Sequence, residues 1–210
     1  MIFKVMTCRA PDRQAFDRAQ RPWAALGRVN GFIAQFGGWD TAKPDRVLLL
    51  ALWHDLAAYD AFMRAEHDTI HEGSSQARTY ENLETTLAEP IDTACPDHGA
   101  PELTAAIRSA GFIRMASCEV RPGRAEHFLE AQRTVWNPGM LGAGALAVWP
   151  VRSRADTSRY LVVSLWESAE AHERYRTGVF AELRRRAQPD ADLRTLRGWA
   201  ASLVPEWTVR

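Results

Sequence analysis

The sequence is short of most features that would name an enzyme class. It has no Gly-rich phosphate loop, no nucleophile elbow and no Cys/His cluster, which argues against nucleotide-dependent chemistry and against a serine or cysteine hydrolase. Three Cys in 210 residues are too few and too spread for a disulfide framework or a zinc site. No apolar run is long enough to span a bilayer, and the opening Met1-Ile2-Phe3-Lys4-Val5-Met6 lacks the basic-then-apolar layout of a secretion signal. The expectation is a cytoplasmic, reduced protein with no membrane partner. Charge of one sign is also missing: Lys+Arg is 26 and Asp+Glu is 26. No global field draws in nucleic acid, so none is expected as a partner. The run Arg184-Arg185-Arg186 reads as a solvated helix end.

What the chain does have is tryptophan, eight in all, and an internal repeat. Trp buries a large area and seeks a partner for its N–H, so it can line pockets as well as fill cores. Aligning Cys8 with Cys118 matches Phe3–Arg9 to Ile113–Glu119, both short apolar strands. A helical pattern follows each, Phe16, Ala19, Trp23 and Leu26 in one copy and Phe128, Ala131 and Val135 in the other, at spacings of three and four. Ala19-Gln20-Arg21 recurs as Ala131-Gln132-Arg133. Pro22 should kink or restart the first helix, because it removes a backbone donor. Gly-bounded strands then lead to Trp39 and Trp149, each 31 positions after its cysteine. Val47–Trp53 mirrors Tyr160–Trp166, continuous apolar runs that suit central strands covered on both faces. Asp55 and Ser168 stand where helix N-caps belong. The last strands are expected over Tyr80–Ala88 and Trp199–Val209, with Pro205 marking an edge or a bulge.

Each copy therefore reads strand, helix, strand, strand, helix, strand, the ferredoxin-like arrangement. The expected fold class is α+β, a tandem duplication whose two antiparallel sheets pack face to face as an α/β-barrel, because one face of each sheet needs a cover. Residues 1–90 form the first module, 91–110 a linker with one helical turn around Leu103 and Ile107, and 111–210 the second module. The chain would be a pseudo-dimer in itself, with further self-association left open.

This pattern resembles the dimeric α/β-barrel superfamily, which includes the antibiotic-biosynthesis monooxygenases and some haem-handling enzymes. The first copy is also similar to YdbC-like proteins of unknown function, through Gly31-Phe32-Ile33, Gly37-Gly38-Trp39, the Leu52-Trp53 strand end, Phe62-Met63 and His67-Asp68-Thr69-Ile70. The second copy fits the general superfamily pattern and lacks the Gly-Gly-Trp and His-Asp signatures.

The resemblance implies a small-molecule pocket, with a cofactor-independent monooxygenase acting on a planar aromatic compound as the leading reading. Such chemistry asks for a dry apolar cavity and a few groups that stabilise a substrate anion. His67 and Gln20 are the candidate catalytic groups. Trp39, Trp53, His71 and Gln35 are the candidate ligand-binding groups, Trp39 foremost because Gly37-Gly38 lets its strand bend and leaves backbone exposed. Gln132 repeats the Gln20 position. No cofactor is expected under this reading; under its alternative, haem is ligated by His67 or His71, which lie four apart and share a helix face. A third reading is a ligand-binding or structural module without catalysis. Cys8 and Cys118, within apolar strands, read as inert small hydrophobes.

Overall fold

The computed structural model describes residues 1–91 and 100–210. The part of the expected linker at 92–99, with Cys95, Pro96 and Gly99, lies outside the described residues. The chain divides into two compact units, Met1–Ala88 with Ala201–Arg210, and Glu89–Ala200.

The first unit is built from β1 (Ile2–Arg9), α1 (Arg13–Gln20), β2 (Phe32–Asp40), β3 (Arg46–Trp53), α2 (Leu56–Ala65), α3 (His67–Ser74) and β4 (Glu81–Pro90). Its strands lie in the antiparallel order β4-β1-β3-β2. The second is built from α4 (Ala100–Ser109), β5 (Phe112–Val120), α5 (Ala125–Ala131), α6 (Asn137–Gly142), β6 (Ala145–Ser153), β7 (Arg159–Trp166), α7 (Ala169–Thr177), α8 (Phe180–Ala187), α9 (Pro189–Asp192) and most of β8 (Leu193–Leu203), whose residues from Ala201 onward belong to the first unit. The order here is β8-β5-β7-β6, and both halves are ferredoxin-like. The region expected to hold one helical turn around Leu103 and Ile107 carries the ten-residue α4, whose Leu103, Ala106 and Ile107 are buried.

Local sequence explains most of these elements. The central strands β3 and β7 are buried almost throughout, as unbroken apolar runs require. Asp55 and Ser168 cap α2 and α7, accepting from the N–H groups of Ala58 and Ala171. At Pro22 the first helix changes to a 3-10 helix, Arg21–Arg28, because proline takes away one donor of the α ladder. The second half has no proline at that place, and its helix passes instead through a π turn, Gln132–Trp136.

Two expectations need correction. The last strand ends at Leu203, and Pro205 opens a 3-10 turn, Pro205–Trp207. That turn seats Trp207 in the first unit's core, ring to ring with Phe16 and Trp39 at 5.3 and 5.2 Å. The equal spacing of Trp39 and Trp149 also misleads. Trp39 pairs with Val47, near the beginning of β3, whereas Trp149 pairs with Val163, in the middle of β7. Because Val5 faces Leu50 as Met115 faces Val163, the counterpart of Trp149 is Phe36 and that of Trp39 is Arg152. Only the strands on either side of these segments are in the register the repeat suggested.

Gly37 and Gly38 are buried, not a source of exposed backbone. A Cβ on Gly38 would stand 1.8 Å from the Ser202 carbonyl oxygen, and one on Gly37 2.3 Å from that of Leu48. The pair lets neighbouring strands approach. Gly38→Ala should therefore destabilise the protein by about 3 kcal/mol or more, the range of severe backbone and packing defects. Urea unfolding would check this, and a loss below about 0.5 kcal/mol, the scale of a neutral surface change, would contradict it.

Candidate functional site

Between the sheet and the helices of the second half lies a cavity of about 250 Å³, near the lower end of small-molecule pockets, roughly 300–1,000 Å³. Its wall is mainly apolar, with Ala116, Phe128, Trp136, Met140, Val162 and Phe180 among the lining residues. Polar side chains break that wall, among them Arg114, Gln132, Ser164, His172 and Tyr175, and the charged Arg176, Arg184 and Asp192 also belong to the lining. Strand alternation on β5 and β7 directs Arg114 and Ser164, which pair across the ladder, to the helix side. The Arg114 guanidinium donates to the carbonyls of Trp199, at 3.0 Å, and Met115. The Ser164 hydroxyl accepts from the Trp166 indole at 3.0 Å. Gln132 opens the π turn, is 4% exposed, and its side-chain oxygen has no hydrogen-bond partner among the described residues.

His172 and Tyr175 come from α7. The His172 ring packs against Phe112 and Trp166 at 5.2 and 5.3 Å. Burial, reinforced by the Arg114 cation, lowers its pKa to about 4, so the imidazole is neutral at pH 7. Burial raises the Tyr175 phenol, which therefore remains a hydrogen-bond donor. An apolar slot thus holds a cation, a neutral imidazole, a phenol and an unsatisfied amide oxygen. That set can orient a flat ligand by its hydroxyl and carbonyl groups.

The same interior of the first half is nearly filled. Lys4, Gln20, Ala51 and Phe62 take the places of Arg114, Gln132, Ser164 and Tyr175, and the cavity they line measures about 40 Å³, room for roughly two or three waters. The filling is Trp23, buried and donating its indole N–H to the Gln76 side-chain oxygen at 2.8 Å. Gln76 in turn donates to the Gln20 oxygen at 2.6 Å. Gln35 and Trp53 also line this small space.

Comparison with known proteins divides the chain in the same way. Residues 2–87 match the family described as a domain of unknown function (DUF4937), and residues 111–179 match the antibiotic biosynthesis monooxygenase family. The uncharacterized protein YdbC of Bacillus subtilis (strain 168) is 38% identical over 93 residues, which cover 42% of this chain and 78% of that protein. The chain belongs to the YdbC-like DUF4937 family. Among solved structures, a proposed monooxygenase from Lactobacillus acidophilus NCFM is similar at 13% identity, over 99% of this chain and 95% of its own, with a TM-score of 0.70. An anthrone oxidase-like protein is similar at 12% identity, over 99% and 92%, with a TM-score of 0.68. At such identities the likeness shows the fold alone, that of the dimeric α/β-barrel class.

The YdbC-like half contains all six residues singled out from the sequence, but it does not gather them at one place. Gln20, Gln35 and Trp53 share the small cavity. His67 and His71 do face the same way on α3, with rings stacked 5.5 Å apart. His67 packs on Trp23 and Phe62, and its Nδ1 lies 2.9 Å from an Asp68 oxygen. Neither histidine lines either cavity. Trp39 is elsewhere again, edge-on to Phe16 and Trp207, with the Arg13 guanidinium 4.4 Å over its ring. The larger cavity belongs to the other family match, and sequence reasoning credited only its Gln132 with a place in a cavity. One signal was available: Lys4 and Arg114 are lone cations in apolar strands, separated by the same interval as Cys8 and Cys118. Those thiols behave as expected, since burial pushes both up to about 12 and keeps them protonated.

His172 gives this site a pH signature. Its folded pKa lies below the ordinary 6.5, so between about pH 6.5 and 4 the unfolded chain binds a proton that the folded one refuses. Stability must fall with pH across that window. Wild type should lose more stability there than His172→Phe in paired urea titrations; parallel pH profiles would contradict the neutral, half-buried imidazole.

Proposed function

We propose that the second-half cavity binds a planar phenolic compound and oxidises it with molecular oxygen, without a cofactor. The observation that carries this reading is a single one: a mainly apolar cavity in which a cation, Arg114, stands beside a neutral, half-buried imidazole, His172. The match of residues 111–179 to the antibiotic biosynthesis monooxygenases and the likeness to an anthrone oxidase-like protein support it.

The chemistry needs little from the protein. The substrate reacts as the tautomer in which one hydrogen of an activated CH2 group has moved to the ring oxygen. That hydroxyl releases its proton to water, and the resulting anion is held by Arg114 and the Tyr175 hydroxyl, with the neutral His172 beside it. Arg114 makes that anion accessible near neutral pH, because an opposite charge favours the ionised form. That anion passes one electron to oxygen, the two radicals combine at the former CH2 carbon, which now carries one hydrogen, and a proton from water completes the hydroperoxide. Loss of water then leaves a carbonyl. One oxygen atom enters the product, the other leaves as water with the two hydrogens of the CH2 group, and the substrate is the only reductant. Exclusion of bulk water by Phe128, Trp136, Met140 and Phe180 strengthens every electrostatic contact in the cavity.

The haem alternative draws no support from the placement of His67 and His71, whose rings pack on each other and on Trp23. Oxygen uptake with a tricyclic phenolic ketone of the anthrone type tests the proposal. One oxygen should be consumed per substrate by protein treated with a chelator. Met140→Trp, which fills the cavity, should raise KM at least tenfold, and Arg114→Gln should lower kcat about 100-fold, the usual cost of one group that stabilises a developing anion. Binding without oxygen uptake would indicate the non-catalytic module. Unchanged kinetics in both variants would remove the reaction from this cavity.

A further inference from the structure

The small cavity of the first half is built differently from a filled core. Its lining includes Lys4, Gln20, Gln35, Trp53 and Gln76, and the four uncharged residues of this set are at most 6% exposed. Burial in such numbers is costly unless every polar group has a partner.

The hydrogen bonds fix which atoms are left over. Trp23 can only donate, so Gln76 must present its oxygen to that indole. The Gln76 amide nitrogen then donates to Gln20, whose oxygen is thereby used. Gln20 is left with its NH2 group. The Trp53 indole N–H is buried and has no hydrogen-bond partner among the described residues. Lys4 lies 5.7 Å from the Tyr59 ring centroid, with no carboxylate paired to it among the described residues. Burial lowers Lys4 to about 8, so it still carries its charge at pH 7. Gln35 donates weakly to the Trp207 carbonyl at 3.4 Å, which leaves its oxygen as the one unclaimed side-chain acceptor of the set. Two kinds of neutral donor and a cation thus share a space of about 40 Å³ with a single unclaimed acceptor.

Water fits this set poorly. Each water that accepts from these donors must place its own two hydrogens, and one acceptor is available. A small anion has no such need, and it neutralises the ammonium. The volume limits it to a few heavy atoms, and the single cation limits it to one charge.

We propose that this cavity is a binding site for a small monovalent oxyanion of three or four heavy atoms, held by the Lys4 ammonium, the Gln20 amide NH2 and the Trp53 indole N–H. Formate and bicarbonate are the matching class. The hydroxyl of a bicarbonate would also satisfy the Gln35 oxygen. The site stands apart from the phenol-oxidising cavity and does not depend on it.

The test is a titration of the full-length protein, labelled at its indole nitrogens, with sodium formate, followed by ¹⁵N–¹H NMR. Sodium sulfate at equal ionic strength serves as the control, being divalent and too large. Trp53→Phe assigns the Trp53 signal. That signal should shift and saturate below about 0.1 M formate, a weak but specific affinity. Lys4→Met should weaken binding at least tenfold, with the remaining indole signals in place to show that the variant is folded. Should that variant unfold, Gln20→Met takes its part, with the same loss expected. A Trp53 signal that stays fixed in both formate and bicarbonate would overturn the proposal. So would an equal shift in sulfate, or full affinity in the folded Lys4→Met or Gln20→Met protein.

Discussion

A cation half-buried between sheet and helices is the constraint that both halves of this molecule answer. Lys4 and Arg114 occupy the same position on the first strand of each half, facing Ala51 and Ser164 across the ladder. A charge at such a place is expensive unless something pairs or solvates it. The polar features of each interior follow from that requirement. In the second half, carbonyls of Trp199 and Met115 accept from the guanidinium, and the remaining space is a cavity. In the first, Lys4 lies over the Tyr59 ring beside a ring of amides. The repeated Gln20 and Gln132 complete each arrangement.

The two interiors differ because of how the helix after the first strand is filled and wound. In the YdbC-like half, Pro22 tightens the helix into a 3-10 segment that carries Trp23 and Leu26 inward. Those side chains, locked by the Trp23–Gln76–Gln20 chain, leave a space for a few atoms. In the other half a π turn runs from Gln132 to Trp136, and Trp136 and Met140 form a wall instead of a plug. π turns of this kind are frequent at functional sites. One fold thus yields a filled interior and an open one from the same strand positions.

The fold was largely legible in the sequence because its signals are local and redundant. The runs Val47–Trp53 and Tyr160–Trp166, the caps at Asp55 and Ser168, and the break at Pro22 each act through neighbours along the chain. Register was less legible: the spacing of Trp39 and Trp149 agreed by coincidence, and only the pairing with β3 and β7 exposes the offset. The candidate site was the least legible part. A cavity is defined by side chains that are too small or turned aside, such as Ala116 and Ser164, and no single residue type marks it. His67 and His71 were correctly read as sharing a face, yet their rings are spent on each other and on Trp23. Arg114, Ser164, His172 and Tyr175 come from three elements that only tertiary packing brings together.

Which half receives the ligand is the central claim, and the five methionines can report on it. A ¹³C-methyl spectrum recorded with and without a tricyclic phenol locates the bound molecule directly. Met140, in the wall of the larger cavity, should shift and broaden, while Met6 and Met63 of the first half stay where they are. A shift at Met6 or Met63 with Met140 unmoved would contradict the account.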